Sequence, residues 1–139
     1  ILNQSNQVTV NFTSQLAVMK EYIKCRKNGH LIFFTSSNIE DPKAYNLFYT
    51  ASKMALRYSV NIMSKEFPKF TFSEICPGKI KSKMLSQNYQ SSISYKTINE
   101  MYKKTEYITC KNVAKVIKNV IDKKCRLVKW ENGKAIYIE

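Results

Sequence analysis

The chain contains only three glycines in 139 residues, Gly29, Gly78 and Gly133, and they stand far apart. No Gly-rich turn is therefore present that could bring a backbone against a pyrophosphate at a helix N-terminus. Histidine occurs once, at His30, and Cys25, Cys76, Cys110 and Cys125 form no Cys-x-x-Cys pair. That combination argues against a zinc site. No apolar run approaches the roughly 20 residues a membrane span requires. Ile1-Leu2-Asn3-Gln4 is not a basic region leading into an apolar one, so no secretory signal is read there. Four reduced thiols in a cytoplasmic protein is the expectation that follows. The chain also begins without Met, as it would if it started inside a longer protein. Arginine is scarce too: Arg26, Arg57 and Arg126 are the only ones among 23 basic residues. Arg is the residue of choice for bidentate phosphate and base contacts. The formal charge of +13 is thus carried by lysines spread from Lys20 to Lys134 rather than clustered. A bias toward Lys, Asn, Ile, Tyr and Phe of this kind arises from an AT-rich genome without selection for a binding surface.

What is present suits one globular domain with one core: 44% of the residues are apolar. From Val8 to Lys24, Val8, Phe12, Leu16, Met19 and Ile23 recur at helical spacing, and Asn28-Gly29 reads as the helix C-cap. Leu31-Ile32-Phe33-Phe34 is a short apolar run closed by Thr35-Ser36-Ser37-Asn38, the pattern of a strand buried on both faces. After Asp41-Pro42 a second helix is expected over about Leu47 to Phe67, stopped by Pro68. It carries two apolar stripes, Ala51, Ala55, Tyr58, Ile62 and Leu56, Val60, Met63, Phe67, so much of its circumference should be buried. Phe70 to Ile75 reads as a strand ended by Pro77-Gly78. A polar segment over about 82–108 is long enough for a lid or a pair of short helices. A third helix is expected over Asn112 to Lys123 with Val113, Ile117, Val120 and Ile121 inward. A last strand over Lys134 to Ile138 follows the Asn132-Gly133 turn. The alternation argues α/β with a partial, doubly wound parallel sheet of about three strands and three main helices.

Tyr49 and Lys53 form Tyr-x-x-x-Lys, but with nine tyrosines and twenty lysines chance alone supplies about one such match. Tyr107 and Lys111 match as well and are assigned no role. Context separates the two. On a helix, Tyr49 and Lys53 share one face, one turn apart. Ser36 lies 13 residues upstream of Tyr49, at the C-terminal end of a buried strand, where open α/β sheets bind their ligands.

These residues resemble the short-chain dehydrogenase/reductase family. The likeness rests on Gly29 to Ser37, an apolar strand ending in Ser, followed by Tyr49-Thr50-Ala51-Ser52-Lys53-Met54-Ala55-Leu56. It continues in Pro77-Gly78-Lys79-Ile80-Lys81-Ser82-Lys83-Met84, where Ser82 takes the place of a Thr. Val10-Asn11-Phe12-Thr13 is similar to the helix carrying the family's catalytic Asn. Asn112-Val113-Ala114 and Gly133-Lys134-Ala135-Ile136 are similar to its later helix and last strand. The resemblance runs from about Val8 to Ile138. It implies an NAD(P)-dependent oxidoreductase interconverting a small-molecule alcohol and carbonyl. Tyr49 would exchange the proton, and a Lys ammonium beside a phenol favours the phenolate. Ser36 would hydrogen-bond the substrate oxygen. Lys53 would also touch the nicotinamide ribose, and Asn11 would hold a water linking Lys53 to solvent. Tyr49, Lys53, Pro77, Gly78, Ile80 and Ser82 would line the nicotinamide site.

The family's first strand, its Gly-rich turn and the position selecting NAD or NADP have no counterpart in these residues. The expectation is a catalytic half that is inactive alone and needs a missing N-terminal half. The edge of the Leu31–Phe34 strand would then pair with another chain, as in a homo-oligomer, or aggregate. Two alternatives stay open. One is a degenerate, non-catalytic relative acting as a binding or scaffold protein, favoured by Glu74 in a strand where an apolar residue is easier to bury. The other is a small basic nucleic-acid-binding module, which would need lysines converging beside aromatics. No membrane association is expected.

Overall fold

A computed structural model describes residues 5–42, 46–82, 107–131 and 133–139. The first helix forms in three segments: α1 (Ser5–Val8), a π segment (Thr9–Thr13) and α2 (Ser14–Cys25). Strand β1 (Gly29–Phe34) leads through a 3-10 turn (Ser37–Ile39) to α3 (Leu47–Glu66). Then come β2 (Phe70–Cys76), the short strands β3 (Ile80–Lys81) and β4 (Ile108–Thr109), α4 (Cys110–Lys123), and the pair β5 (Leu127–Glu131) and β6 (Lys134–Ile138).

The main sheet has the order β1-β2-β5-β6, and β3 pairs with β4 in a second, two-stranded sheet. β1 runs parallel to β2 with Gly29 opposite Phe70 and Phe34 opposite Ile75. β5 runs parallel to β2, and β6 returns antiparallel to β5. The expected α/β class holds, but the sheet is mixed and has one strand more than the apolar runs indicate. β5 escapes that reading because it is short and alternates, with Val128 fully buried between the less buried Leu127 and Lys129. Its turn to β6 explains the mixed sheet. Parallel neighbours need a crossover of a dozen or more residues, whereas two suffice for an antiparallel hairpin. Gly133 takes φ 76° there, a conformation that suits glycine.

Alternate residues of the strands build a core on each face of the sheet. On one face Phe33 and Phe72 meet Met19 of α2 and Leu56 and Val60 of α3. On the other, Ile75 and Val128 meet Val116 and Val120 of α4. Burial of each such side chain contributes about 1.5–3 kcal/mol. β2, central in the sheet, is buried at every residue from Phe72 to Cys76, as a strand covered on both faces must be.

Several expectations need correction. Of the first α3 stripe, Ala51 is exposed, Tyr58 is 67% exposed and Ile62 52% exposed. α3 lies on one sheet face through Leu56 and Val60, and no described element covers its outer side. On α4 the inward set includes Val116, while Ile121 is 53% exposed. Asn28-Gly29 is not the helix C-cap: α2 stops at Cys25, Arg26 is extended, and Gly29 opens β1. Gly29 instead leaves room for a neighbouring side chain. A Cβ there would lie 2.5 Å from the Tyr22 hydroxyl, whose ring packs over it. Residues 83–106 of the expected lid lie outside the described residues. Its last part is no lid, because Tyr107 and Ile108 are buried and Ile108 pairs with Ile80.

The single histidine ties the strands together on the α4 face. Ser73 Oγ donates to the Cys125 carbonyl, so His30 Nε2, 2.8 Å from Ser73 Oγ, must be the donor of that second bond. Burial, and then the nearby Lys124 charge, push the His30 pKa below its ordinary 6.5. As pH falls below 6.5, unfolded chains therefore take up a proton that the folded chain resists. The stability held above that pH is lost on acidification. The melting-temperature advantage of the parent over His30→Gln should shrink steadily between pH 7 and pH 5, as thermal melts across that range would show.

Candidate active site

The site begins where β1 and β2 run out. Their pairing continues past the strand ends: the Thr35 N–H donates to the Ile75 carbonyl at 3.0 Å, and the Ser37 N–H to the Pro77 carbonyl at 3.1 Å. Ser36 is thereby held beside Pro77. It is 8% exposed and caps the 3-10 turn, its Oγ accepting from the Asn38 N–H at 3.3 Å. A serine in extended backbone with its oxygen turned onto a following N–H is what such a turn favours.

α3 presents Tyr49 in its first turn and Lys53 in its second, both half-buried. The Lys53 ammonium reaches back to the end of β1 and donates to the Phe34 carbonyl at 2.8 Å. Burial lowers its pKa from the ordinary lysine value, so it holds its proton less tightly than a solvated lysine. Ser52, 2% exposed, donates to the Tyr49 carbonyl at 2.7 Å and packs this part of the helix down.

Asn11 lies at the centre of the π segment, which packs against α3. The Ser14 N–H donates to the Thr9 carbonyl five residues back, and Ser14 Oγ donates to the Val10 carbonyl at 2.9 Å. Such single-turn π segments often mark functional positions in helices. Beyond β2, Pro77 is buried, and a Cβ on Gly78 would meet nothing within 4 Å, so open space faces that backbone. Ile80 is engaged in the β3–β4 pair, with half-buried Ser82 just after it. Ser36, Lys53 and Pro77 are thus gathered at the C-terminal ends of β1 and β2, with Tyr49 one helical turn from Lys53. Asn11 approaches from a different helix, and Ile80 and Ser82 lie further along the chain.

The short-chain dehydrogenase family model matches residues 3–92. The chain belongs to the short-chain dehydrogenase family. No curated protein matches it. Membership places this short-chain dehydrogenase among oxidoreductases that generally use NAD(P), and no described helix is long and apolar enough to cross a membrane.

One part of the site was not read from the residue pattern. Glu74 is 6% exposed in the middle of β2, and Arg57, one turn beyond Lys53 on α3, meets it with Nε at 2.7 Å and Nη2 at 2.6 Å. Thr35 Oγ1 donates to the same carboxylate oxygen. Arg57 Nη1 also reaches Glu40 at 3.2 Å, and Lys129 from β5 completes the group by pairing with Glu40. Burial works against the Arg57 charge, yet the hydrogen bond and attraction of Glu74 prevail and raise its pKa. The Lys129 hydrogen bond leads the effects that lower the pKa of Glu40. The available signal was a charged residue in an otherwise buried strand, together with an arginine four residues after Lys53.

Proposed function

We propose that this chain is the catalytic half of an NAD(P)-dependent short-chain dehydrogenase/reductase that interconverts an alcohol and a carbonyl. The observation that carries the reading is the Lys53 bond to the Phe34 carbonyl. It ties the Tyr-x-x-x-Lys helix to the strand end from which Ser36 projects, something the chance match at Tyr107 lacks.

In the reducing direction Tyr49 delivers its hydroxyl proton to the substrate oxygen, and the Lys53 ammonium stabilises the phenolate left behind. Ser36 Oγ accepts from the Asn38 N–H and so retains its own proton to donate to the same substrate oxygen. Asn11 holds the water through which Lys53 exchanges protons with solvent. A nicotinamide, when bound, supplies the hydride. Tyr49, Lys53 and the backbone from Pro77 to Ser82 suit that end of the cofactor, since Gly78 faces open space. For the nucleotide end, neither Gly29, packed under Tyr22, nor Gly133, in the hairpin turn, offers a seat for a pyrophosphate among the described residues. In this reading a Gly-rich segment beyond these residues supplies that part of the site.

The 139-residue chain alone should therefore show no carbonyl reduction with NADH or NADPH, and calorimetric titration should find no micromolar affinity for either. Fused behind the Gly-rich half of an active short-chain dehydrogenase, the same residues should turn over a panel of aldehydes and ketones. A fusion that binds cofactor yet stays inactive would defeat the proposal. β1 has β2 as its one partner among the described residues, which leaves its other edge open to a strand from a second chain. Sedimentation should accordingly show association rising with concentration. A monomer throughout would count against that pairing.

A further inference from the structure

The buried cluster around Glu74 does more than neutralise a charge. A carboxylate on a central strand is costly to desolvate, and a small apolar residue would fill the place at no such cost. Its three close contacts are not scattered over the fold. Thr35 immediately precedes Ser36, and Arg57 stands one helical turn from Lys53, so one oxygen of Glu74 joins the two elements that must meet. Arg57 then extends to Glu40 just past the 3-10 turn that Ser36 caps, and Lys129 closes the group from β5. The strand end, the turn and the helix are thus held from a single centre beneath the site.

We infer that Glu74 and Arg57 are positioning residues that set how Lys53 and Ser36 face each other. The inference rests on the proton-transfer reading above and adds two residues that touch neither substrate nor cofactor. An apolar contact could hold α3 against the sheet, but it would allow the helix to slide. A guanidinium that donates from Nε to a fixed carboxylate and from Nη1 to Glu40, with Nη2 in ion-pair contact, sets both distance and direction.

Glu74→Gln tests this on the full chain without need of turnover. It keeps the shape of the side chain and an acceptor for Thr35, and removes the charge that holds Arg57. α3 should then lose its fixed placement over the strand end. Lys53 should leave the Phe34 carbonyl, and its midpoint in a ¹³Cε NMR titration should rise toward that of an ordinary lysine. Exchange of the Ser37 and Asn38 amides should quicken by about tenfold or more, as expected for a lost charge-assisted hydrogen bond. Glu74→Asp should recover part of both effects. Val120→Ala, a cavity on the opposite face, should lower global stability and leave the Lys53 midpoint where it is. Arg57→Lys, which keeps the charge and loses the simultaneous Nε bond to Glu74 and Nη1 bond to Glu40, is the milder second variant, and it should move both readouts in the same sense. A folded Glu74→Gln or Arg57→Lys chain with parent-like Lys53 titration and parent-like exchange at Ser37 and Asn38 would overturn the inference. Neither readout depends on turnover, so failure of the proton-transfer reading, seen as a harmless loss of the Tyr49 hydroxyl, would be recognised separately.

Discussion

Tyr49→Phe should lower kcat of the cofactor-loaded fusion by about 10²–10⁴, the range typical of losing a positioned acid or base. The substitution removes one oxygen and leaves the ring in place, so α3 should keep its packing and the melting temperature should barely move. Substrate affinity should change far less than kcat, because the hydroxyl acts on the oxygen that gains the proton rather than on the body of the substrate. Lys53→Met should fall in the same range for a different reason: the phenolate would lose the charge beside it. Ser36→Ala should cost less, since one neutral hydrogen bond is lost and the proton donor remains. The control is internal. Tyr107 and Lys111 share the same spacing, but Tyr107 is 5% exposed and Lys79 lies over its ring at 5.2 Å. Tyr107→Phe keeps that ring and should leave kcat unaffected. Steady-state kinetics on the four variants decide the matter. If Tyr49→Phe retains parent-like kcat, Tyr49 is not the proton donor and the catalytic reading falls.

Glu74→Ala should be the most destabilising single change outside the apolar cores, by about 3 kcal/mol or more. It leaves the Arg57 guanidinium, whose side chain is only 17% exposed, facing an empty space in the sheet with the more exposed Glu40 as its remaining acidic partner. Arg57→Ala leaves the Glu74 carboxylate, 8% exposed, in the same position and should cost a similar amount. Replacing both at once with Leu and Met should recover much of the loss, because a buried pair gives little net stability over apolar packing. Urea unfolding of the two single variants and the double variant measures the coupling between them. Single variants within about 1 kcal/mol of the parent would show that the group is not desolvated as its burial requires. On an ordinary stability of about 5–15 kcal/mol, a loss of this size is a large fraction of what holds the chain folded. The same group answers the suspicion raised by a charged residue in β2. Glu74 is matched from α3 and from Thr35, so it is no sign of decay by itself.

Much of the fold was legible because its signals are local. Helical spacing at Phe12, Leu16, Met19 and Ile23, the apolar run at Leu31 to Phe34 and the stop at Pro68 each depend on neighbours a few residues away. β5 was not legible, since Leu127 to Glu131 is short and its charged residues dilute the apolar signal. Nor was the exposure of Tyr58 and Ile62. A stripe of apolar residues marks a face able to be buried, and only the layering of elements decides whether something lies over it.

The residues alone determined the three main helices and the strands β1, β2 and β6 in their order, the family, and Ser36, Tyr49 and Lys53 with Pro77 and Gly78 as the candidate site. They determined as well that the three glycines stand too far apart to form a Gly-rich turn. Tertiary structure decided the rest: that the Lys53 ammonium rests on the Phe34 carbonyl, that Gly29 makes room for Tyr22, and that Glu74 joins Arg57 to Thr35. Each of these is a contact between residues distant in the chain, set by how strand and helix lie across one another. Local spacing places a side chain on a face of its own element, and only the packing of one element on the next determines what it meets.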